Sequence, residues 1–204
     1  MATQTHSQLL IATNNAGKIR ELTALLADLP LRLRQLSEFP QIEEVEETGK
    51  TFAENASLKA RQYGRETNLW ALADDSGLEV DALDGAPGVL SARYAGPNAS
   101  DEGRNARLLA ELSLTVDEQR TARFICAIAL YDPATGTTEI FDGTCEGHIA
   151  KHPRGHNGFG YDPLFIPSGY AHTFGELSDI VKQQISHRSR ALAAVRVYLN
   201  GRFS

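Results

Sequence analysis

Cysteine is scarce in this chain: Cys126 and Cys145 are the only two, too few for a disulfide scaffold and without the spacing of a metal site. They read as buried thiols in a reducing compartment. Basic runs are lacking as well. Lys and Arg number 20 against 26 Asp and Glu, a net charge of −6, so the clustered cationic face that binds duplex nucleic acid is missing and no nucleic-acid polymer is expected as a partner. A small anionic ligand stays open wherever a few cations converge. No window approaches a membrane span, and the N-terminal MATQTHSQLL has neither the cationic flank nor the apolar centre of a signal peptide, which makes a cytoplasmic protein the expectation. Internal repeats, low-complexity tracts and long linkers are also missing, so nothing suggests a solenoid or a string of modules. What remains has an ordinary globular composition, 42% hydrophobic and 23% charged, and its 204 residues suffice for one domain, 1–204, with a substantial core and room for two lobes.

The chemically densest stretch is Leu69 to Tyr94. Leu69-Trp70-Ala71-Leu72-Ala73 reads as a short buried strand that ends on two consecutive acids, Asp74 and Asp75, followed by Ser76-Gly77. Alternation along a strand turns adjacent side chains to opposite faces, so each acid needs a partner of its own. A buried carboxylate costs on the order of several kcal/mol unless it is paired, hydrogen-bonded or on a metal. Two readings stay open from these residues: a turn at Asp75-Ser76-Gly77, all three being turn formers, or a catalytic or metal-binding carboxylate.

Other segments add candidates one at a time. Gln8 to Thr13 reads as a first strand that runs into Asn14-Asn15-Ala16-Gly17-Lys18, after which Ile19, Leu22, Leu25, Leu26 and Leu29 recur at helical spacing up to Pro30. Strand, polar turn and helix can present backbone N–H groups and a lysine to phosphate, though the glycines of a Walker A loop or a dinucleotide fingerprint are missing. Leu31 to Leu36 alternates as a half-buried or edge strand does, and the acids Glu43, Glu44 and Glu46 read as solvated surface. Thr51 with Glu54 forms a capping box for a helix to about Tyr63 that buries Phe52, Ala56, Ala60 and Tyr63. Lys59 falls on that apolar face, where it either snorkels outward or meets an anion.

Further on, Ser100 is a cap for a helix carrying Ala106, Leu109 and Leu112, and Arg123 to Asp132 pairs with Thr138 to Ile149 across a Pro133-Ala134-Thr135-Gly136 turn. Arg154 to Phe165 sets three glycines around Phe159 and Tyr161, which offer flat apolar faces. Ser178 to Gln184 and Ala191 to Leu199 are helical in pattern. Lys182 and His187 would not share a face of one unbroken helix, so a break is expected between Gln184 and Ser186. Ser186 would then cap a new helix with His187 and Arg188 in its donor-rich first turn.

In this order the motifs Thr13-Asn14-Asn15-Ala16-Gly17-Lys18, Glu46-Glu47-Thr48-Gly49, Ala73-Asp74-Asp75-Ser76-Gly77-Leu78, Gly85-Ala86-Pro87-Gly88, Ser91-Ala92-Arg93-Tyr94, Gly158-Phe159-Gly160-Tyr161-Asp162-Pro163 and Ile185-Ser186-His187-Arg188 span nearly the whole chain. Together they make it resemble the inosine triphosphate pyrophosphatases, also called dITP/XTP pyrophosphatases. The resemblance implies an α/β fold, elongated and two-lobed, with a central mixed β-sheet flanked by helices, an active-site cleft between the lobes, and a homodimer. It also implies hydrolysis of non-standard purine nucleoside triphosphates such as ITP, dITP and XTP to the monophosphate and pyrophosphate, with Mg²⁺. By position, the loop from Thr13 through Asn14, Asn15, Ala16 and Gly17 to Lys18 would hold the triphosphate, helped by Lys59. Glu47 and Asp75 would bind Mg²⁺, with Asp75 the proton acceptor. Ser76, Phe159, Gly160, Tyr161, Asp162, Lys182, His187 and Arg188 would frame the nucleoside and base. Two rivals remain at this level: a pyrophosphatase for other standard or modified nucleotides, and a nucleotide sensor that binds without hydrolysis.

Overall fold

The computed structural model describes residues 7–203; the first six residues of the N-terminal segment considered above, and Ser204, lie outside the described residues. Among the described residues the chain divides into two compact units. One comprises the residues up to Asp75, Ala127–Asp142 and the residues from Ala191 onward; the other comprises Ser76–Cys126 and Gly143–Arg190. The architecture is α/β, and its six-stranded sheet is mixed, with parallel pairs at one edge and an antiparallel pair at the other.

In the first unit, β1 (Gln8–Ile11) pairs in parallel with β2 (Arg32–Gln35) on one side and with β3 (Trp70–Val80) on the other. Leu9, Leu10 and Ile11 are buried, as expected of a strand flanked on both sides, whereas β2 is an edge and stays half-exposed. Between them, α1 (Ala16–Leu26) begins on Asn15, whose side chain caps the Lys18 N–H. α2 (Phe52–Thr67) has the expected Thr51/Glu54 capping box and buries the four expected apolar residues. It runs a turn beyond Tyr63 and closes only where Asn68 adopts a left-handed φ of 54°. Ala56, Ala60 and Tyr63 pack with Leu10, Ala12, Ala71 and Ala73 in this unit's core.

The largest departure from expectation is in β3. The chain does not turn at Asp75-Ser76-Gly77; the strand continues through all three to Val80. β3 is hydrogen-bonded to β1 over Trp70 to Leu72 and to β4 as its other sheet neighbour, and this backbone pairing outweighs the local turn preference of Asp, Ser and Gly. The two acids are therefore interior to a strand, and both are buried.

The sheet order is completed by β4 (Thr121–Tyr131), β5 (Thr138–Ile149) and β6 (Phe165–Pro167), giving β2-β1-β3-β4-β5-β6. β4 and β5 are the expected pair, and they bury both cysteines. In the second unit, α3 (Asp101–Glu111) is capped by Ser100 as expected, but its inner face is different: Asn105 and Leu108 are buried while Ala106 is exposed. α4 (Asp179–Ile185) and α5 (His187–Phe203) are separated at Ser186, whose extended backbone makes the expected break. Leu78, Leu108, Phe124, Tyr161, Phe165 and Phe174 form this unit's core. No helix among the described residues is long and apolar enough to cross a membrane.

Candidate functional site

The two adjacent acids of β3 have separate partners, as their alternation requires. Lys18 sits in the first turn of α1 and places its Nζ 3.0 Å from the Asp74 carboxylate and 3.3 Å from the Asp74 carbonyl. The loop before it is tied to itself: the Asn15 N–H donates to Thr13 Oγ1 (3.2 Å) and the Lys18 N–H to Asn15 Oδ1 (3.0 Å). Ala16 and Gly17 occupy the first two helical positions, where N–H groups have no intrahelical acceptor and the helix dipole is positive. Asn14, Asn15 and Ala16 are exposed, so this donor-rich turn is open to an anion.

Asp75 faces α2. Lys59 Nζ lies 3.0 Å from Asp75 Oδ1 and 2.6 Å from Glu47 Oε1, so the two carboxylates converge on one ammonium. Lys59 meets anions rather than snorkelling out. Burial opposes its charge, but Asp75, Glu47 and Asp74 outweigh burial and hold its pKa above the ordinary value. Burial pushes the Asp75 carboxyl above the usual range, with Lys59 and Lys18 pulling it back and Glu47 adding to the rise. Glu47 belongs to the acidic loop whose other members, Glu43, Glu44 and Glu46, are exposed.

Asn55 was not among the residues singled out from the sequence. It is fully buried, donates from Nδ2 to Asp75 Oδ2 (3.3 Å) and accepts the Gly49 N–H at 2.7 Å, so it ties the Glu47 loop to the carboxylate. The signal was a polar residue four before Lys59, on the same helix face.

No group of three or more His, Cys, Asp or Glu that could hold a metal is present among the described residues. Two converging carboxylates nevertheless suit a hard cation that keeps water and takes phosphate oxygens. Lys59 now supplies positive charge at the point where both acids meet.

A second constellation begins at the next residue. Ser76 Oγ accepts from Arg188 Nη2 at 2.9 Å, and Arg188, at 1% exposure, is the bulkiest fully buried side chain. Arg188 lies in the first turn of α5, where Ser186 caps the Ser189 N–H (3.2 Å). The Arg188 guanidinium is 5.8 Å and the Lys182 ammonium 4.9 Å from the centre of the Phe159 ring, so two cations crowd one aromatic. Lys182 is also ion-paired with Asp162. The same Asp162 accepts the Phe159 N–H at 2.8 Å. Gly158 permits that closure, since a Cβ there would collide with the Asp162 carboxylate and its φ is +75°.

Tyr161 is placed differently from the open aromatic face expected. Its ring belongs to the core and its hydroxyl donates to the Ser91 carbonyl at 3.0 Å. Burial drives its phenol pKa well up. His187 stacks on Phe124 of β4 at 4.8 Å between ring centres, a role for β4 that its sequence did not reveal.

The same pattern extends to known proteins. Residues 9–198 match the model of the Ham1 family. A dITP/XTP pyrophosphatase of Geobacter sulfurreducens is 53% identical over 193 residues, covering 95% of this chain and 96% of that protein. One of Bacillus anthracis is 49% identical, covering 91% and 92% respectively. Among solved structures, a HAM1 protein from Coxiella burnetii superposes with a TM-score of 0.87 at 43% identity, covering 96% of this chain and 99% of that one. The spread of the match over both units and all the motifs leads to one conclusion: this chain belongs to the Ham1 family.

Proposed function

We propose that this chain hydrolyses non-standard purine nucleoside triphosphates, dITP and XTP among them, to the monophosphate and pyrophosphate. The names of its relatives support the reaction, and the observation that carries it is the buried Asp75 carboxylate held by Lys59 beside Glu47.

Pyrophosphate release requires water to attack the α-phosphorus, so the base must act deep along the triphosphate. Asp75 suits that task because burial makes it a stronger base than a surface aspartate while Lys59 and Lys18 favour its ionised form. Asn55, donating to the second carboxylate oxygen, orients it. Lys18 and the N–H groups of Ala16 and Gly17, with Thr13, Asn14 and Asn15 around them, offer donors to the phosphate oxygens. Glu47 and Asp75 would hold Mg²⁺, which when bound neutralises charge on the leaving pyrophosphate and acidifies a water.

The base falls to the second constellation. Phe159 supplies a stacking face. Arg188 and Lys182, fixed by Ser76 and Asp162, present donors that suit the six-carbonyl of hypoxanthine or xanthine and mismatch the six-amine of adenine. Gly160, Tyr161 and His187 shape the surroundings of these donors. Two buried thiols support a cytoplasmic, reducing setting, and a homodimer is the assembly we propose.

Pyrophosphate release from dITP, XTP, dGTP, dATP and dTTP, with Mg²⁺ and with EDTA, tests the reading. It expects dITP and XTP to be preferred and EDTA to abolish turnover. Comparable rates on dTTP would favour a broader pyrophosphatase, and binding without product would favour a sensor.

A further inference from the structure

Gly160 makes no polar side-chain contact of its own, yet both of its backbone polar groups are held by side chains of α3. Its N–H donates to Asp101 Oδ2 at 2.6 Å, and its carbonyl accepts from Asn105 Nδ2 at 3.0 Å. Asp101 is itself preset: its other oxygen pairs with Arg104, whose guanidinium also reaches the carbonyls of Ala92 (2.9 Å) and Ala99 (2.6 Å). Asn105 is 5% exposed, and its Oδ1 finds no hydrogen-bond partner. A polar side chain is thus kept on the apolar face of a helix although only its donor half is used, an arrangement that costs stability by itself.

The carbonyl that Asn105 holds belongs to the peptide after Gly160, and the N–H that Asp101 holds belongs to the peptide before it, the one joined to Phe159. Gly160 has a φ of +62°, and a glycine flanked by two peptides can flip either of them at little steric cost. A flip of the Phe159–Gly160 peptide would turn the Phe159 carbonyl away from the Asp162 N–H it now accepts at 3.2 Å, and a flip of the Gly160–Tyr161 peptide would distort the same turn; either loosens the hold of Asp162 on the Phe159 N–H (2.8 Å) that seats the ring against Lys182 and Arg188. We infer that Asp101 and Asn105 are positioning residues that lock the Phe159-Gly160-Tyr161 backbone, and so set how tightly the stacked purine is held. This inference rests on the functional reading above. Neither residue need touch the substrate; both act through Phe159.

Steady-state kinetics on dITP with Mg²⁺ test it. Asn105→Asp has the same size but replaces the donor by an oxygen facing the Gly160 carbonyl, and should raise KM about tenfold with kcat little changed, the split expected when binding rather than chemistry is lost. Asp101→Asn serves as a second variant if Asn105→Asp does not fold, with the same split expected. A residue that acts only through Phe159 adds nothing once that ring is gone, so Asn105→Asp in a Phe159→Ala background should leave KM where Phe159→Ala alone puts it. A purely structural role would lower melting temperature without this non-additivity. The inference is overturned alone if the wild-type chain turns over dITP while the variants' KM stays within about threefold of it, or if the full KM increase persists without the Phe159 ring. A wild-type chain that releases no pyrophosphate from dITP overturns the functional reading and this inference together.

Discussion

Asp75→Asn separates activity from stability more sharply than any other single change. In the wild type, Asp75 receives Asn55 Nδ2 at 3.3 Å on one oxygen and Lys59 Nζ at 3.0 Å on the other. An asparagine offers one oxygen to two donors, so one donor faces an NH2 group. Losing a hydrogen bond to a charged group costs about 1.5–3 kcal/mol. Against this, a carboxylate that burial already disfavours is removed, and Lys59 keeps Glu47 at 2.6 Å. The two effects offset, and we expect the variant to unfold within about 2 kcal/mol of the wild type. Turnover has no such compensation, because an amide cannot take a proton from water. The loss should be about 10²–10⁴-fold, or about 2.7–5.5 kcal/mol in the barrier. Continuous pyrophosphate detection on dITP, isothermal titration with dITP and thermal melting together give all three quantities. A variant that keeps more than about a tenth of wild-type kcat would refute the base assignment.

Phe159→Ala should raise KM for dITP by about tenfold or more, the scale of base–aromatic stacking, while kcat changes little; unchanged KM removes the stacking role. Gly64→Ala tests packing, since a Cβ there would overlap the Tyr131 ring. Overpacking costs about 1–3 kcal/mol and improved helix propensity returns about 1 kcal/mol, so urea unfolding should show a net loss of up to about 2 kcal/mol. Alkaline pH should destabilise the fold in a set direction. Burial pushes the Cys145 thiol up to about 11 and the Tyr94 hydroxyl up to about 12, so the folded chain keeps protons that the unfolded chain sheds near 9.0 and 10.0. Stability from these groups is complete below about pH 9 and declines as pH rises toward their folded values, and Tyr94→Phe should flatten the upper part of a urea-midpoint profile; a flat wild-type profile to about pH 11 would contradict this.

Local chemistry accounts for what could be read along the chain. The Thr51/Glu54 capping box, the Ser100 cap, the Ser186 break and the β4–β5 pair each depend on residues close in sequence, and each stands where periodicity and capping rules put it. Lys59 stood out because it interrupts an apolar stripe, which left it either to snorkel outward or to meet an anion; only the fold decided for the anion. Asn105 interrupts one too, but periodicity alone places Ala106, one position round the helix, on the inner face in its stead.

By itself, then, the order of residues determined most of the elements, the two adjacent acids that each had to find a partner, and the family motifs. Tertiary structure alone decided that β3 runs straight through its acids, that Asn55 and Lys59 meet Asp75 from α2, that Tyr161 serves the core and that Phe124 backs His187. The reason is physical. Turn preference and helix period act over a few bonds, whereas the sheet partners of a strand and the counter-charge of a buried carboxylate come from residues tens of positions away, and their energies exceed the local ones.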